Sequence, residues 1–368
     1  MKTDKVTFTG YGARPLRALL MRDSYGNVKF ESLINELSSI GKQHGFDVFV
    51  QDSKRILNGL EYKPQKAFSL PEAESENLWL QDNMTITPNG KMFAPFFSDR
   101  LNNIFSRFLK IPLTMRNYHF QGGNFFFIKD NGKTSLLIGR DEAKFGYSLE
   151  KIKQDLGVDE IYPISQPDFH IDLGIRPLKD KVVLVQDDNL TLAKLREAVK
   201  KAEIFHKESR TETSENIKFT ITYLKNAFEY FIHSKEYQND DLIAKELTDY
   251  GFKVVRVPSN IVRPTNSADI NNDTHYISNF MNAIVHENKD GDLVYITNKS
   301  NLNKHVGIVS LEMQKAVGLD FEEAFKGSLK NYVKPENVYF VDGSGIVPEL
   351  LENYQGGIHC MCAEVPKF

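Results

Sequence analysis

Only two cysteines occur in the 368-residue chain, Cys360 and Cys362, and their i, i+2 spacing is too tight for an ordinary structural bridge. A scaffold stapled by disulfides, as in small secreted domains, is therefore excluded. Nowhere do about 18 uncharged apolar residues follow one another. The stretch from Met1-Lys2-Thr3-Asp4-Lys5 to Tyr11-Gly12-Ala13-Arg14 holds no apolar run of signal-peptide length. No membrane partner is expected, and the location expected is cytoplasmic, or exported by a route that leaves no such mark. Neither sign of charge dominates: 46 basic and 49 acidic residues give a formal charge of -3. There is no broad positive field for phosphate backbones, so nucleic acid is not an expected partner. With 41% hydrophobic and 26% charged residues the chain sits near the globular average, which excludes wholesale disorder and a fibrous repeat.

Against these absences stand many short apolar runs. Leu16 to Met21 reads as a strand, Phe30 to His44 as an amphipathic helix and Phe46 to Val50 as a strand. Further strand-like runs lie at Phe93 to Phe97, Asn124 to Ile128, Ser135 to Ile138, Val182 to Val185, Val254 to Val257, Leu293 to Thr297 and Val338 to Val341. The pattern predicts an α/β or α+β fold of many small sheets. From about Leu190 to Tyr250 helix formers dominate, and the polar stretch Lys207 to Ser214 is expected to be an exposed loop between two helices. Asn260 to Thr274, rich in Asn, Asp, Ser and Pro, reads as another loop.

Four polar clusters lie at the ends of apolar runs. In Trp79-Leu80-Gln81-Asp82-Asn83-Met84 the single tryptophan is three residues from an acid. Such a pair suits a planar cation, and equally describes a core Trp beside a turn Asp. In Gln121-Gly122-Gly123-Asn124 the paired glycines permit close backbone approach or a simple turn, and no phosphate-binding fingerprint accompanies them. In His170-Ile171-Asp172 an extended backbone would turn an imidazole and a carboxylate to the same side, whether for a substrate or for structure. Neither HExxH nor CxxC is present to complete a zinc site, so no metal is expected. In Gly356-Gly357-Ile358-His359-Cys360 two glycines lead into a predicted short strand carrying a thiol, either an inert buried cysteine or an exposed nucleophile.

Taken in order, these clusters and Phe280-Met281-Asn282-Ala283-Ile284 resemble the motifs of the guanidine-modifying superfamily, most closely the catalytic domain of protein-arginine deiminases. The resemblance runs from about Leu16 to the end. It implies the pentein fold, a pseudo-fivefold α/β-propeller of ββαβ units, as one domain over 1–368 with a helical insertion at about 190–250. It also implies Cys360 as nucleophile, His170 as acid and base, and Asp82 and Asp172 as the carboxylates that grip a guanidinium. Trp79, Arg100, Gln121, Gly123, Asn124 and Asn282 are implied around the substrate, with Arg100 gripping the backbone of a peptide. The chain departs from the superfamily pattern at several points. Gln121 stands where arginine and agmatine deiminases carry Glu. Asn83 and Thr85 stand where the animal protein-arginine deiminases carry calcium-ligating acids, so no cofactor is expected and calcium is doubtful. No counterpart of those enzymes' N-terminal immunoglobulin-like domains is expected.

A guanidinium stays protonated and offers five donors in a rigid fork, so two carboxylates can hold it from its edges while a thiolate attacks the central carbon. Hydrolysis would turn an arginine within a protein or peptide into citrulline, with free arginine or agmatine as the alternative substrate. Amidino transfer to an amine is the alternative within the superfamily, and a silent guanidinium-binding protein is the alternative outside catalysis.

Overall fold

The computed structural model describes residues 14–22, 24–25, 28–52, 66–69, 79–80, 84–95, 106–107, 109–116, 121–130, 132–140, 148–166, 169–233, 239–264, 274–308, 310–354 and 356–367. Five small sheets repeat one pairing rule, an antiparallel neighbour on one side of a central strand and a parallel neighbour on the other. In the first, Leu16–Arg22 pairs antiparallel with Ala363–Pro366 and parallel with Asp47–Asp52, which in turn pairs with Lys66–Ser69. The chain's described ends therefore meet in one sheet. The others centre on Met92–Pro95, Lys133–Gly139, Val182–Gln186 and Leu293–Asn298. Parallel neighbours need a crossover, and these connections supply it, most of them as helices.

Local chemistry explains the elements. All five side chains of Val182–Gln186 are buried, as a run covered on both faces requires. The helix Glu31–His44 buries Leu33, Ile34, Leu37 and Ile40 along one stripe and ends on Gly45, whose φ of 89° closes its last turn. Each such buried side chain is worth roughly 1.5–3 kcal/mol relative to exposure.

The helical segment from about 190 to 250 differs from the sequence expectation at its first turn. No loop spans Lys207 to Ser214; the helices Asp188–Ser209 and Glu212–Ile232 are separated by Arg210 and Thr211 alone. Ser214 is buried in a reciprocal cap with Thr211, which accepts from its backbone N–H, and a polar sequence that reads as a loop is here a helix start. A third helix, Asn239–Asp249, returns to the strand Lys253–Val257. Ile261–Pro264, which the sequence reading placed inside the loop Asn260 to Thr274, is instead a strand that pairs antiparallel with Thr274–Ser278. Among the described residues no helix is long and apolar enough to cross a membrane.

Candidate active site

Three separated segments carry the reactive groups to one point. His170 is extended, but Ile171–Leu173 turns as a 3-10 helix, so the His-x-Asp pair is not the strand the alternation suggested. Cys360 likewise lies in one helical turn, Ile358–Met361, and the strand begins only at Ala363. The ligand-type atoms of His170, Asp172 and Cys360 nevertheless lie within 4.8 Å of one another, and all three residues are buried.

Asp172 is the hub and is fully buried. Its Oδ2 accepts from Asn282 Nδ2 at 2.8 Å and faces His359 Nδ1 at 2.7 Å, with Cys360 Sγ at 3.6 Å. Its Oδ1 has no hydrogen-bond partner among the described residues and lies 4.0 Å from His170 Nδ1, which has none either. A buried carboxylate oxygen without a donor costs about 1–3 kcal/mol or more. A cationic N–H placed there would recover it.

Asparagines and glycines set this geometry. Asn124 is buried and holds both sides of His170, accepting from Ile171 N at 3.0 Å and donating to Phe169 O at 3.0 Å. A Cβ on Gly123 would lie 2.5 Å from His170 Nδ1 and 2.9 Å from Asp172 Oδ1, so no larger residue fits beneath the pair. Asn282 Nδ2 donates to Cys360 Sγ at 3.0 Å as well as to Asp172, and its Oδ1 accepts from His359 N at 3.0 Å. Asn298 fixes the glycine loop by accepting from Ile358 N at 2.8 Å. Trp79 is half-buried and its six-membered ring abuts that loop, where a Cβ on Gly356 would come within 2.3 Å of it. Gln121, exposed at the mouth, presents Oε1 to His170 Nε2 at 2.9 Å. Asp82, Asn83 and Arg100 lie outside the described residues.

Sequence reading missed a charged layer beneath the site. Glu364 is buried within the strand Ala363–Pro366 and pairs with Arg14 at 3.1 Å and Arg176 at 3.2 Å, with His359 Nε2 at 3.4 Å. Burial alone would raise its carboxyl, but the hydrogen bond from His359 and the two guanidinium charges overcome that and hold it at about 2. The available signal was a charge inside an otherwise apolar strand, at Glu364 and again at Arg176 in Ile175–Pro177. Cys362 lies fully buried among apolar side chains, and burial pushes its thiol up, away from the reactive thiolate. Thr85, where the resemblance places a calcium-ligating acid in the animal enzymes, is buried on the strand Thr85–Ile86 and offers a hydroxyl without charge, a poor fit to a hard cation.

A thiol, an imidazole and a half-satisfied carboxylate within 4.8 Å of one another make a set suited to attack on a bound cation. No protein-family profile and no curated protein sequence match the chain. Solved structures do. C. jejuni agmatine deiminase superposes with a TM-score of 0.56 at 13% identity, covering 96% of this chain and 94% of that one. A Cys-to-Ser form of C. jejuni agmatine deiminase with substrate bound gives 0.57 at 11% identity, over 97% and 96%. A protein described as an arginine deiminase from Porphyromonas gingivalis gives 0.55 at 14% identity, over 97% and 98%. The chain has the fold of the guanidine-modifying, or pentein, superfamily.

Proposed function

We propose that the protein is a guanidine deiminase, a C–N hydrolase that converts a guanidinium to a ureido group and releases ammonia through an amidino adduct on Cys360. The observation that carries this reading is the buried Asp172 Oδ1, left without a donor beside His170 and Cys360. A guanidinium N–H completes that oxygen, with Asp82 as the second carboxylate. The thiol proton of Cys360 passes to His170 as Sγ bonds to the central carbon, and His170 hands it to the leaving nitrogen as the C–N bond breaks and ammonia departs. His170 then takes a proton from water, whose oxygen adds to the same carbon as the C–S bond breaks. The five repeated sheets are read here as the blades of a pseudo-fivefold propeller with this site at its centre.

The narrower substrate proposed is an arginine side chain within a peptide or protein. It is supported by the motif resemblance and by Gln121, which stands beside His170 where small-guanidine deiminases are implied to carry an acid. Free small guanidines are the second reading, favoured by the likeness to an agmatine deiminase over nearly the whole of both chains. Incubation with a peptidyl-arginine, free arginine and agmatine, with and without an acceptor amine, tests both. Ureido product and ammonia in equal amounts, fastest from the peptide, are expected. Faster turnover of agmatine would overturn the narrower substrate, transfer to the amine would replace hydrolysis, and no product from any of the three would sink the enzymatic reading.

A further inference from the structure

Asn279 lies in the turn between the strands Thr274–Ser278 and Ile284–Glu287 and is fully buried. Its Oδ1 accepts from the backbone N–H groups of Met281 and Asn282, both at 3.0 Å, the bonds of an Asx turn. An amide has one acceptor end and one donor end, so those two bonds fix which way round the group sits. Nδ2 is thereby left for Leu173 O, to which it donates at 3.1 Å. Asn260 donates to the same carbonyl at 2.8 Å.

The two segments joined in this way both belong to the site. Leu173 follows Asp172 in the chain, and Asn282 donates through Nδ2 to Asp172 Oδ2 at 2.8 Å and to Cys360 Sγ at 3.0 Å. Asn298, also fully buried, extends the tie to the third segment. Its Nδ2 donates to Asn279 O at 2.8 Å and Asn282 O at 2.9 Å, while its Oδ1 accepts from Ile358 N at 2.8 Å, in the turn that carries Cys360. A buried carboxylate oxygen that lacks a donor gains by turning toward one. Asp172 Oδ1 has no donor among the described residues, and Asp172 sits on a 3-10 turn of only three residues, Ile171–Leu173. Held at Leu173 O and at Oδ2 together, that carboxylate keeps Oδ1 for a substrate.

We propose that Asn279 is a positioning residue, a clamp that fixes Asp172 against Asn282 and Cys360 by acting through Leu173 and Asn282 rather than on the reacting atoms. The inference rests on the reading of this site as that of a guanidine deiminase. Misplacing a reacting group by about 1 Å can cost about a hundredfold in rate, so a clamp at this distance is felt in turnover.

Asn279→Asp tests one contact. Its carboxylate makes the same Asx turn but turns an acceptor instead of a donor on Leu173 O. Once protonated it donates again, and burial beside a carbonyl raises the pH at which it does so. On the substrate that the parent turns over fastest, kcat relative to the parent is expected to fall at least about tenfold near pH 8 and to recover as pH falls toward about 6, with melting above the assay temperature throughout. Asn279→Ser keeps an acceptor for the turn, adds no charge and cannot reach Leu173; it is expected to lose kcat equally at every pH, and it serves if Asn279→Asp does not fold. A kcat within about twofold of the parent in the folded variants, or a loss in Asn279→Asp that does not ease at lower pH, overturns the proposal. If the parent turns over no substrate, the functional reading falls and the clamp is read from the thiol instead. In the Cys362→Ser background, Asn279→Ala frees Asn282, and alkylation of Cys360 by iodoacetamide is expected to slow at least about threefold at neutral pH as an N–H is lost from the thiolate. An unchanged or faster rate there overturns the clamp.

Discussion

At the scale of single residues, the two cysteines divide by environment. Cys360 sits at the carboxylate and the imidazole, whereas Cys362 is sealed in the apolar core. Cys360→Ser is expected to lower turnover by more than about a thousandfold with the melting temperature unchanged, since a hydroxyl cannot reach the anionic form a thiol reaches near neutral pH. Cys362→Ser is expected to retain most activity, and an equal loss in both would remove Cys360 as nucleophile. Gln121 gives a second residue-scale expectation. Its amide oxygen lies 2.9 Å from His170 Nε2, and a carboxylate there would favour the protonated ring. Gln121→Glu is therefore expected to move the pH–rate profile upward by about one unit, read from kcat over pH 5–9. A profile that stays put would mean that His170 is not the titrating group.

At the scale of elements, the insertion is tied down where two helices begin. Asp188 opens Asp188–Ser209, Asp240 lies at the start of Asn239–Asp249, and both are buried. Asp240 accepts from Gln186 at 3.0 Å and, at 3.4 Å, from the Asp188 backbone N–H. Burial pushes the Asp188 carboxyl well up, aided by the neighbouring Asp240 and Asp187 charges. Burial pushes Asp240 to about 6, against the Gln186 hydrogen bond and the Arg256 charge. A carboxyl near about 3.9 when unfolded and higher when folded binds its proton more tightly in the folded state, so stability falls as pH rises from about 4 through about 6. Asp188→Asn is expected to be more stable than the parent by over about 1 kcal/mol at pH 8, with the gap closing near pH 4. Urea unfolding at both pH values measures it, and a gap independent of pH would deny the pair its role. The turn beneath the site makes a different claim. Gly123→Ala would put a methyl 2.5 Å from His170 Nδ1, so activity is expected to fall at least tenfold with little loss of stability.

At the scale of the whole molecule, the closing sheet and the charged layer are one construction. Ala363–Pro366 pairs with Leu16–Arg22, and Glu364 on it gathers Arg14, Arg176 and His359 from three parts of the chain. The same assembly is expected to work without a divalent cation. Asn83 and Thr85 withhold two carboxylates from the position the animal enzymes are implied to use, which would remove most affinity for calcium. Activity is expected to survive EDTA, and its loss on chelation with recovery on added calcium would reverse that expectation.

Much of this was legible in the residues. The apolar runs located the central strand of each of the five sheets within about two residues, because short runs of β-branched and aromatic side chains suit a strand buried on both faces, whereas most of the short edge strands were missed. Trp79, Gln121, His170, Asp172 and Cys360 were identifiable as chemistry-bearing types at the ends of those runs. What the sequence could not contain is the direction in which side chains meet, as Asp172 and His359 do 187 residues apart. Only the tertiary structure decided that Asp172 keeps Oδ2 for His359, Asn282 and Cys360 while Oδ1 is left beside His170 without a donor, and that the buried Glu364 is balanced by two arginines. Local propensity fixes a strand or a helix start, as at Asp187 and Thr211, because its partners lie within a turn. A buried charge is tolerable only when distant partners arrive together, and that is settled by packing, not by neighbours in the chain.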